Sequence, residues 1–112
     1  MVDVDTTIAE LRERVRAFVH ARDWESFHTP KDLAIALSVE ASELVEPFLW
    51  RETSARLSAE DRASVGEELA DVIIYGLSLA NVLDLDLSEA VLDKLRKDER
   101  KYPARRFRGR AP

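Results

Sequence analysis

Two pairs of acidic residues, each three positions apart, interrupt otherwise apolar sequence between residues 39 and 75. The pairs are Glu40 with Glu43 and Glu68 with Asp71. Residues three apart lie on one face of an α-helix, so each pair directs its carboxylates toward the same region. Carboxylates removed from water without partners are unfavourable and repel one another. We therefore expect two helices that hold the acids around hard cations, with Mg²⁺ as the first choice for oxygen ligands and Mn²⁺ as a substitute.

A simpler interpretation is that these acids are solvated residues on amphipathic helices, as most glutamates are. That interpretation is favoured for Glu67 and Glu68 taken alone. Asp71 argues against it, because it begins the apolar run of residues 71–77 and lies one turn from Glu68 on the same face. A ligand shared by Glu68 and Asp71 explains this position most simply.

The length and composition predict one small helical domain. A chain of 112 residues buries a limited core as a monomer, so we expect a homo-oligomer. The sequence is 46% hydrophobic and 35% charged, with only 3 Gly and 4 Pro, which favours helices joined by short loops. The predicted fold is therefore all-α.

Charge and cysteine content exclude several classes of function. The formal net charge of −5 argues against a general nucleic-acid binder, since phosphate neutralisation requires a basic face. The absence of cysteine excludes disulfides and thiolate sites and is typical of a reducing compartment. The longest apolar run, residues 69–83, contains Asp71 and is too short to span a bilayer. We expect a cytoplasmic protein with no membrane partner.

Four helices are predicted, each opened by a side chain that caps its first turn. They cover about residues 7–22, 30–50, 58–83 and 86–102, and the capping pairs are Thr7 with Glu10, Thr29 with Asp32, Ser58 with Asp61 and Asp86 with Glu89. Pro47 should kink or end the second helix around residues 43–46. Residues 51–57 are predicted to form a loop, and residues 104–112, with four arginines, a mobile basic tail.

Aromatic and basic residues accompany the acids. Trp24, Phe27 and His28 fall in the predicted first loop, where they either cover the end of the bundle or stack on a ligand. Lysines and arginines crowd the last turns of the fourth helix. Metal beside cations is typical of a phosphate site, and stacking aromatics suit a nucleobase. These features together indicate a metal-dependent hydrolase of a nucleotide polyphosphate.

The acidic pairs belong to a longer, ordered series of motifs. In chain order the series also contains Arg22-Asp23-Trp24, Phe27-His28, Pro30, Phe48 with Trp50, residues 67–72 and Lys101-Tyr102-Pro103. This series covers nearly the whole chain. It resembles the MazG-like, all-α NTP pyrophosphatases, and within them the dCTP pyrophosphatase branch.

The resemblance implies a four-helix bundle protomer, residues 1–103, that assembles as a dimer or a dimer of dimers. It implies Mg²⁺-dependent conversion of a nucleoside triphosphate, with dCTP or a modified dCTP favoured, to monophosphate and pyrophosphate. By position, the implied metal ligands are Glu40, Glu43, Glu68 and Asp71. The base and sugar pocket would be lined by Trp24, His28 and Trp50. The phosphates would be faced by Lys94 and Tyr102, from the same or a neighbouring chain.

Two positions depart from the branch. Asp98 stands where the branch usually has asparagine, so this substrate-facing position carries a charge that repels phosphate. Pro47 removes the backbone donor that would pair with the carbonyl of Glu43. We therefore expect the second helix to be locally open there and assign Glu43 as the general base, with Glu40 able to exchange roles with it.

Three other interpretations remain. Phosphoribosyl-ATP or dUTP hydrolysis stays within the same superfamily, because base identity depends on hydrogen bonds that spacing does not reveal. A di-iron carboxylate bundle requires two Glu-x-x-His motifs, whereas only residues 25–28 have that spacing. A non-catalytic helical interaction module predicts no dependence on metal.

Overall fold

The computed structural model describes residues 1–53 and 56–112, and the regular structure in those residues is entirely helical. The helices are α1 (Val2–Asp5), α2 (Ile8–Ala21), α3 (Pro30–Val45), α4 (Ala59–Val82), α5 (Leu87–Lys101) and α6 (Ala104–Phe107), with short 3₁₀ helices at Glu25–Phe27 and Glu46–Phe48. The all-α prediction is confirmed. Residues 54 and 55 of the predicted loop 51–57 lie outside the described residues.

The four predicted helix starts are confirmed as α2, α3, α4 and α5. Thr7 and Glu10 form a reciprocal capping box, in which the Thr7 hydroxyl accepts from the Glu10 N–H at 3.1 Å. Capping side chains accept from backbone N–H groups three residues on at the other starts, at 3.1 Å for Thr29, 3.0 Å for Ser58 and 2.9 Å for Asp86. Each cap satisfies a donor that the first turn leaves free.

Helix α3 ends at Val45, so the prediction that Pro47 kinks or ends the helix around residues 43–46 is confirmed, and the helix does not continue to residue 50. The expectation that helix opens at Glu43 is wrong, because the Glu46 N–H donates to the Glu43 carbonyl and so replaces the donor that Pro47 lacks. The chain tightens into a 3₁₀ turn, as helix ends commonly do. Trp50 follows with a φ of 64°, a left-handed conformation that is uncommon for a bulky residue.

Helix α4 is central, because α3 and α2 both pack against it. The α3–α4 contact is the more extensive, and Leu33, Leu77 and Ala80 are the buried apolar side chains at the centre of this layer. Within the described residues, α5 makes only marginal contact with the other helices. A four-helix bundle within one chain is therefore not confirmed.

The chain is extended and leaves much apolar surface uncovered. Its radius of gyration is 17.0 Å, against about 13 Å expected for a compact domain of this length. The apolar stripe of α2 is nowhere fully buried, with Phe18 49% exposed, and Val91, Leu92 and Leu95 of α5 are each about half exposed. In the described part of the chain, no helix is both long and apolar enough to cross a membrane.

The segment after Pro103 begins with a short helix that the sequence did not predict. The N–H groups of Arg106 and Phe107 donate to the Pro103 carbonyl, which starts α6. The Phe107 ring then packs edge-to-face on Tyr102, with ring centres 5.2 Å apart. Phe107 is half-buried, so α6 folds back on the end of α5.

Candidate active site

Three carboxylates converge between α3 and α4. Glu40 of α3, and Glu68 and Asp71 of α4, each offer an oxygen within 4.8 Å of the others. The convergence follows from the sequence spacing, because Glu68 and Asp71 lie one turn apart on the face of α4 that meets α3. Glu40 and Glu68 are half-buried and Asp71 is exposed, so the acidic cluster lies at the edge of the α3–α4 contact and not in the core.

Glu43, the fourth predicted ligand, lies beside this cluster. It is half-buried on α3, one turn after Glu40. Its carboxylate contributes to raising the pKa of both Glu40 and Glu68, which places it near both. The trio of mutually close oxygens does not include Glu43.

Glu40 and Glu68 are unfavourable in their charged forms. The pKa of Glu40 is raised to about 7, and burial is the largest cause. A hydrogen bond to Glu43, the charge of Glu43 and then the charges of Asp71 and Glu68 raise it further. Burial, and then the charges of Glu43 and Asp71, also raise the pKa of Glu68. Glu46, on the 3₁₀ turn, adds to the shift at Glu68. Removal from water and like charges therefore act in the same direction.

Two oxygens of the cluster fit a bound cation. Oε2 of Glu40 and Oε2 of Glu68 are buried and have no hydrogen-bond partner among the described residues. Buried polar atoms in native proteins are nearly always paired, so these two oxygens require an additional partner. An oxygen-only set of carboxylates suits Mg²⁺ or Mn²⁺, and a cation would also relieve their mutual repulsion.

The three residues predicted to contact the nucleoside have different surroundings in the single chain. His28 is half-buried after the 3₁₀ turn at Glu25–Phe27. Trp24 instead packs edge-to-face on Phe18, with ring centres 5.8 Å apart, and Arg22 stacks on Phe18 at 3.6 Å. Trp50 is 100% exposed. Each aromatic therefore has a different environment within the chain.

A cavity of about 520 Å³ lies between α2 and the carboxyl-terminal half of α4. His28 lines it together with Arg16 and His20 from α2 and Ser78 and Asn81 from α4. Sequence reasoning missed Arg16, Ser78 and Asn81 as lining residues. Ser78 and Asn81 interrupt the apolar run of residues 69–83, and this was the available signal for them, because a polar residue in a helix that is otherwise apolar usually has a partner or a ligand.

The predicted phosphate-facing residues form one row along α5. Lys94, Asp98 and Tyr102 are successive i, i+4 neighbours, and the Lys94 ammonium donates to the Asp98 carboxylate at 2.7 Å. Because α5 makes only marginal contact with the other helices, the single chain does not bring this row into the acidic cluster.

The family model for the MazG-like family matches residues 35–110, more than half of the chain, including both acidic pairs. The chain belongs to the MazG-like family. The matched segment continues past Pro103, through α6 and to residue 110.

Curated relatives and a solved structure agree with this membership. dCTP pyrophosphatase 1 from Bos taurus is 38% identical over 111 residues, covering 96% of this chain and 66% of that protein. The Mus musculus protein of the same name is also 38% identical, over 96% of this chain and 65% of its own length. The crystal structure of a pyrophosphatase from Archaeoglobus fulgidus is 42% identical, with a TM-score of 0.73, and covers 85% of this chain and 91% of that chain.

A dATP/dGTP diphosphohydrolase from Cyanophage S-2L is 33% identical over 80% of this chain and 70% of its own length. The MazG-like chain thus resembles proteins named for different nucleotides. It spans just under two thirds of the length of the two mammalian relatives, at 66% and 65%. The predicted resemblance to the family and to dCTP pyrophosphatases is confirmed.

Proposed function

We propose that the protein is a Mg²⁺-dependent nucleoside triphosphate pyrophosphohydrolase that acts on dCTP or a modified dCTP and releases monophosphate and pyrophosphate. The observation that carries this proposal is the pair of buried, unpartnered oxygens on Glu40 and Glu68, beside Asp71, in a chain of the MazG-like family. The names of the relatives support the reaction class.

Glu40, Glu68 and Asp71 would hold the cation, because their oxygens already lie within 4.8 Å of one another. A bound Mg²⁺ would neutralise charge on the triphosphate oxygens and polarise the bond that breaks. Glu43 would accept the proton of the attacking water. Its position beside the trio supports that role, since a general base needs a lone pair that is not used in coordination.

The cavity between α2 and α4 would hold the nucleoside. Ser78, in its wall, follows Asp71 by two helical turns on nearly the same face, so the cavity lies about 10 Å along α4 from the acidic cluster. This separation suits a nucleotide whose phosphates lie at the cluster. His28 would contact the base or sugar from the cavity wall, and Trp24 and Trp50 would join it only after movement or from a neighbouring chain.

Lys94, Asp98 and Tyr102 would reach the phosphates in a homo-oligomer. The accessible surface of the chain is 9374 Å², about 3000 Å² more than a compact monomer of 12.8 kDa exposes. An excess of about 3000 Å² per chain, or about 6000 Å² for a pair, lies at the upper end of the total area that obligate homodimers bury. Val91, Leu92 and Leu95 are half-exposed, so α5 presents an apolar surface that a second copy would cover. In the proposed dimer or dimer of dimers, α5 completes a four-helix bundle.

The deciding experiment measures pyrophosphate release from dCTP, modified dCTP, dUTP, dATP, dGTP and phosphoribosyl-ATP, with and without Mg²⁺. We expect release that requires metal and is fastest with a cytosine nucleotide. Asp71→Asn should lose most of the activity, whereas Glu67→Gln, an exposed neighbour on α4, should retain it. Fastest release from dUTP or phosphoribosyl-ATP would replace the substrate assignment. No release from any nucleotide would favour the non-catalytic interaction module.

A further inference from the structure

Arg12 links α2 to the carboxyl end of α4. It lies in the second turn of α2, and its Nε donates to the Oδ1 atom of Asn81 at 2.9 Å. One terminal nitrogen donates to the Ala80 carbonyl at 3.1 Å, and the other donates to the Leu85 carbonyl. The guanidinium thus uses all three of its nitrogens, a geometry that a lysine ammonium does not reproduce.

Asn81 also donates a hydrogen bond to Arg12. Its Nδ2 donates to the Arg12 backbone carbonyl at 3.1 Å, and its Oδ1 also accepts from Arg16 at 3.2 Å. Arg12 and Asn81 are both half-buried. Hydrogen bonds to charged groups are stronger than those between neutral groups, and partly buried networks of this kind hold a defined geometry.

The two carbonyls that Arg12 contacts flank the turn between α4 and α5. Ala80 lies in the last turn of α4, and Leu85 directly precedes Asp86, the N-cap of α5. The turn passes through Asp84 with a φ of 51° and is closed by a hydrogen bond of 2.9 Å from the Leu85 N–H to the Ala80 carbonyl. A cation at a helix carboxyl terminus also interacts favourably with the helix dipole. Arg12 therefore fixes both sides of the turn.

The direction of α5 depends on this turn. Within the described residues α5 makes only marginal contact with the other helices, so packing inside the chain does little to orient it. Given a rise of about 1.5 Å per residue, a swing of about 20° at the turn moves residue 97 by about 5 Å. Such a displacement would misplace any side chain that α5 carries toward a substrate.

We propose that Arg12 is a positioning residue that sets the direction of α5 relative to the α3–α4 layer. Through that direction it places Lys94, Asp98 and Tyr102 for contact with the substrate. The inference about the direction of α5 rests on the hydrogen bonds of Arg12 to the turn, whereas the consequence for substrate rests on the proposed function.

The direct test is a distance measurement. The chain has no cysteine, so cysteines introduced by Ser64→Cys on α4 and Lys97→Cys on α5 are the only sites for spin labels. Labelled chain is diluted into unlabelled chain to isolate distances within one protomer. We expect Arg12→Gln to broaden the distance distribution by about 5 Å, as the lever arm of α5 predicts. Arg14→Gln, an exposed neighbour on α2, should leave it unchanged.

If Arg12→Gln does not fold, the same distance is measured in Arg12→Lys. Lysine keeps a charge at the end of α4 but loses the contacts that the three guanidinium nitrogens make. An unchanged, narrow distribution in any folded Arg12 variant would overturn the proposal, and would mean that packing between chains orients α5 instead.

The kinetic test separates positioning from general stability. We expect Arg12→Lys to raise KM for the nucleotide about fivefold or more, with kcat within about twofold and the Mg²⁺ midpoint unchanged. A variant that only loses folded protein would lower kcat and leave KM unchanged, which would overturn the positioning role. If the wild-type chain hydrolyses no nucleotide, the proposed function fails, and the distance measurement still decides the role of Arg12 in placing α5.

Discussion

Lys94 and Asp98 form an ion pair one turn apart on α5, with 2.7 Å between the ammonium nitrogen and a carboxylate oxygen. The hydrogen bond to Asp98, and then its charge, raise the pKa of Lys94. Lys94 therefore remains protonated, but a carboxylate offsets its charge at the point where the proposed substrate phosphates would approach. The resemblance to the dCTP pyrophosphatase branch implies asparagine at this position, which would leave the lysine charge free.

Asp98→Asn should tighten the interaction with the triphosphate. The variant removes one negative charge and releases Lys94 from its partner, so we expect KM to fall about threefold or more, with a steeper dependence on salt. The matched control is Asp93→Asn, which breaks the pair that Asp93 makes with Arg96 on the same helix and changes the charge equally. Equal effects of the two substitutions would mean that only net charge matters.

Glu68→Gln should stabilise the metal-free protein while weakening its metal binding. Burial and the charges of Glu43 and Asp71 disfavour the Glu68 carboxylate, so a neutral side chain of the same shape removes that penalty. We expect the variant to have a higher Tm than the wild type without metal. Millimolar Mg²⁺ with a nucleotide analogue should raise the Tm of the wild type but not that of the variant. Glu67→Gln should change neither quantity. A lower metal-free Tm in Glu68→Gln would contradict the repulsion.

Metal-free stability should fall as the pH rises from 4.5 to about 7. The pKa of Glu40 is about 7 in the folded chain against 4.5 for the ordinary group, so between these values the folded state binds a proton that the unfolded state lacks. The free energy of unfolding therefore decreases with pH across this window. Saturating Mg²⁺ should reverse the trend, because it binds the deprotonated carboxylate. The check is chemical denaturation at several pH values, with Glu40→Gln as the control that flattens the metal-free curve.

The helix starts could be predicted because their causes are local. The Thr7 capping box and the Ser58 cap join residues three apart, so the sequence contains both partners of each hydrogen bond in one short segment. The convergence of Glu40 with Glu68 and Asp71 could also be predicted from the sequence. Acids at helical spacing in apolar sequence are unfavourable unless they share a ligand, which leaves few other ways to place their carboxylates.

The remaining features depend on contacts that spacing does not reveal. The Glu46 N–H donates to the carbonyl that Pro47 leaves without a donor, because a helix end can tighten into a 3₁₀ turn. The prediction considered only hydrogen bonds between residues four apart, so it did not include this contact. Arg12 gave no signal, because its partners Asn81 and Leu85 are about seventy residues away. The exposure of Val91, Leu92 and Leu95 was not predicted either, because the sequence does not reveal that α5 stands apart from the other helices of the described chain.

Assembly should depend on the apolar face of α5. Leu95 is 52% exposed in the single chain, and a charge at this position would oppose burial against a second copy. We expect wild-type protein to be at least dimeric at micromolar concentration and Leu95→Glu to shift it toward monomer, as measured by light scattering. Lys97→Glu, two residues on, provides a charge-reversal control that should remain assembled. A stable wild-type monomer would refute the proposed oligomer.

Glu43→Gln separates the general base from the metal ligands. If Glu43 accepts the proton of the attacking water, the variant should lose about a hundredfold or more in kcat, because general-base catalysis contributes about 10²–10⁴-fold. The Mg²⁺ midpoint should change little, since the mutually close trio consists of Glu40, Glu68 and Asp71. Metal affinity that falls in step with activity would make Glu43 a ligand and leave the base to Glu40.

Hydrolysis in ¹⁸O-labelled water identifies the attacked atom, because label in the monophosphate means attack at the α phosphorus and label in pyrophosphate means attack at the β phosphorus.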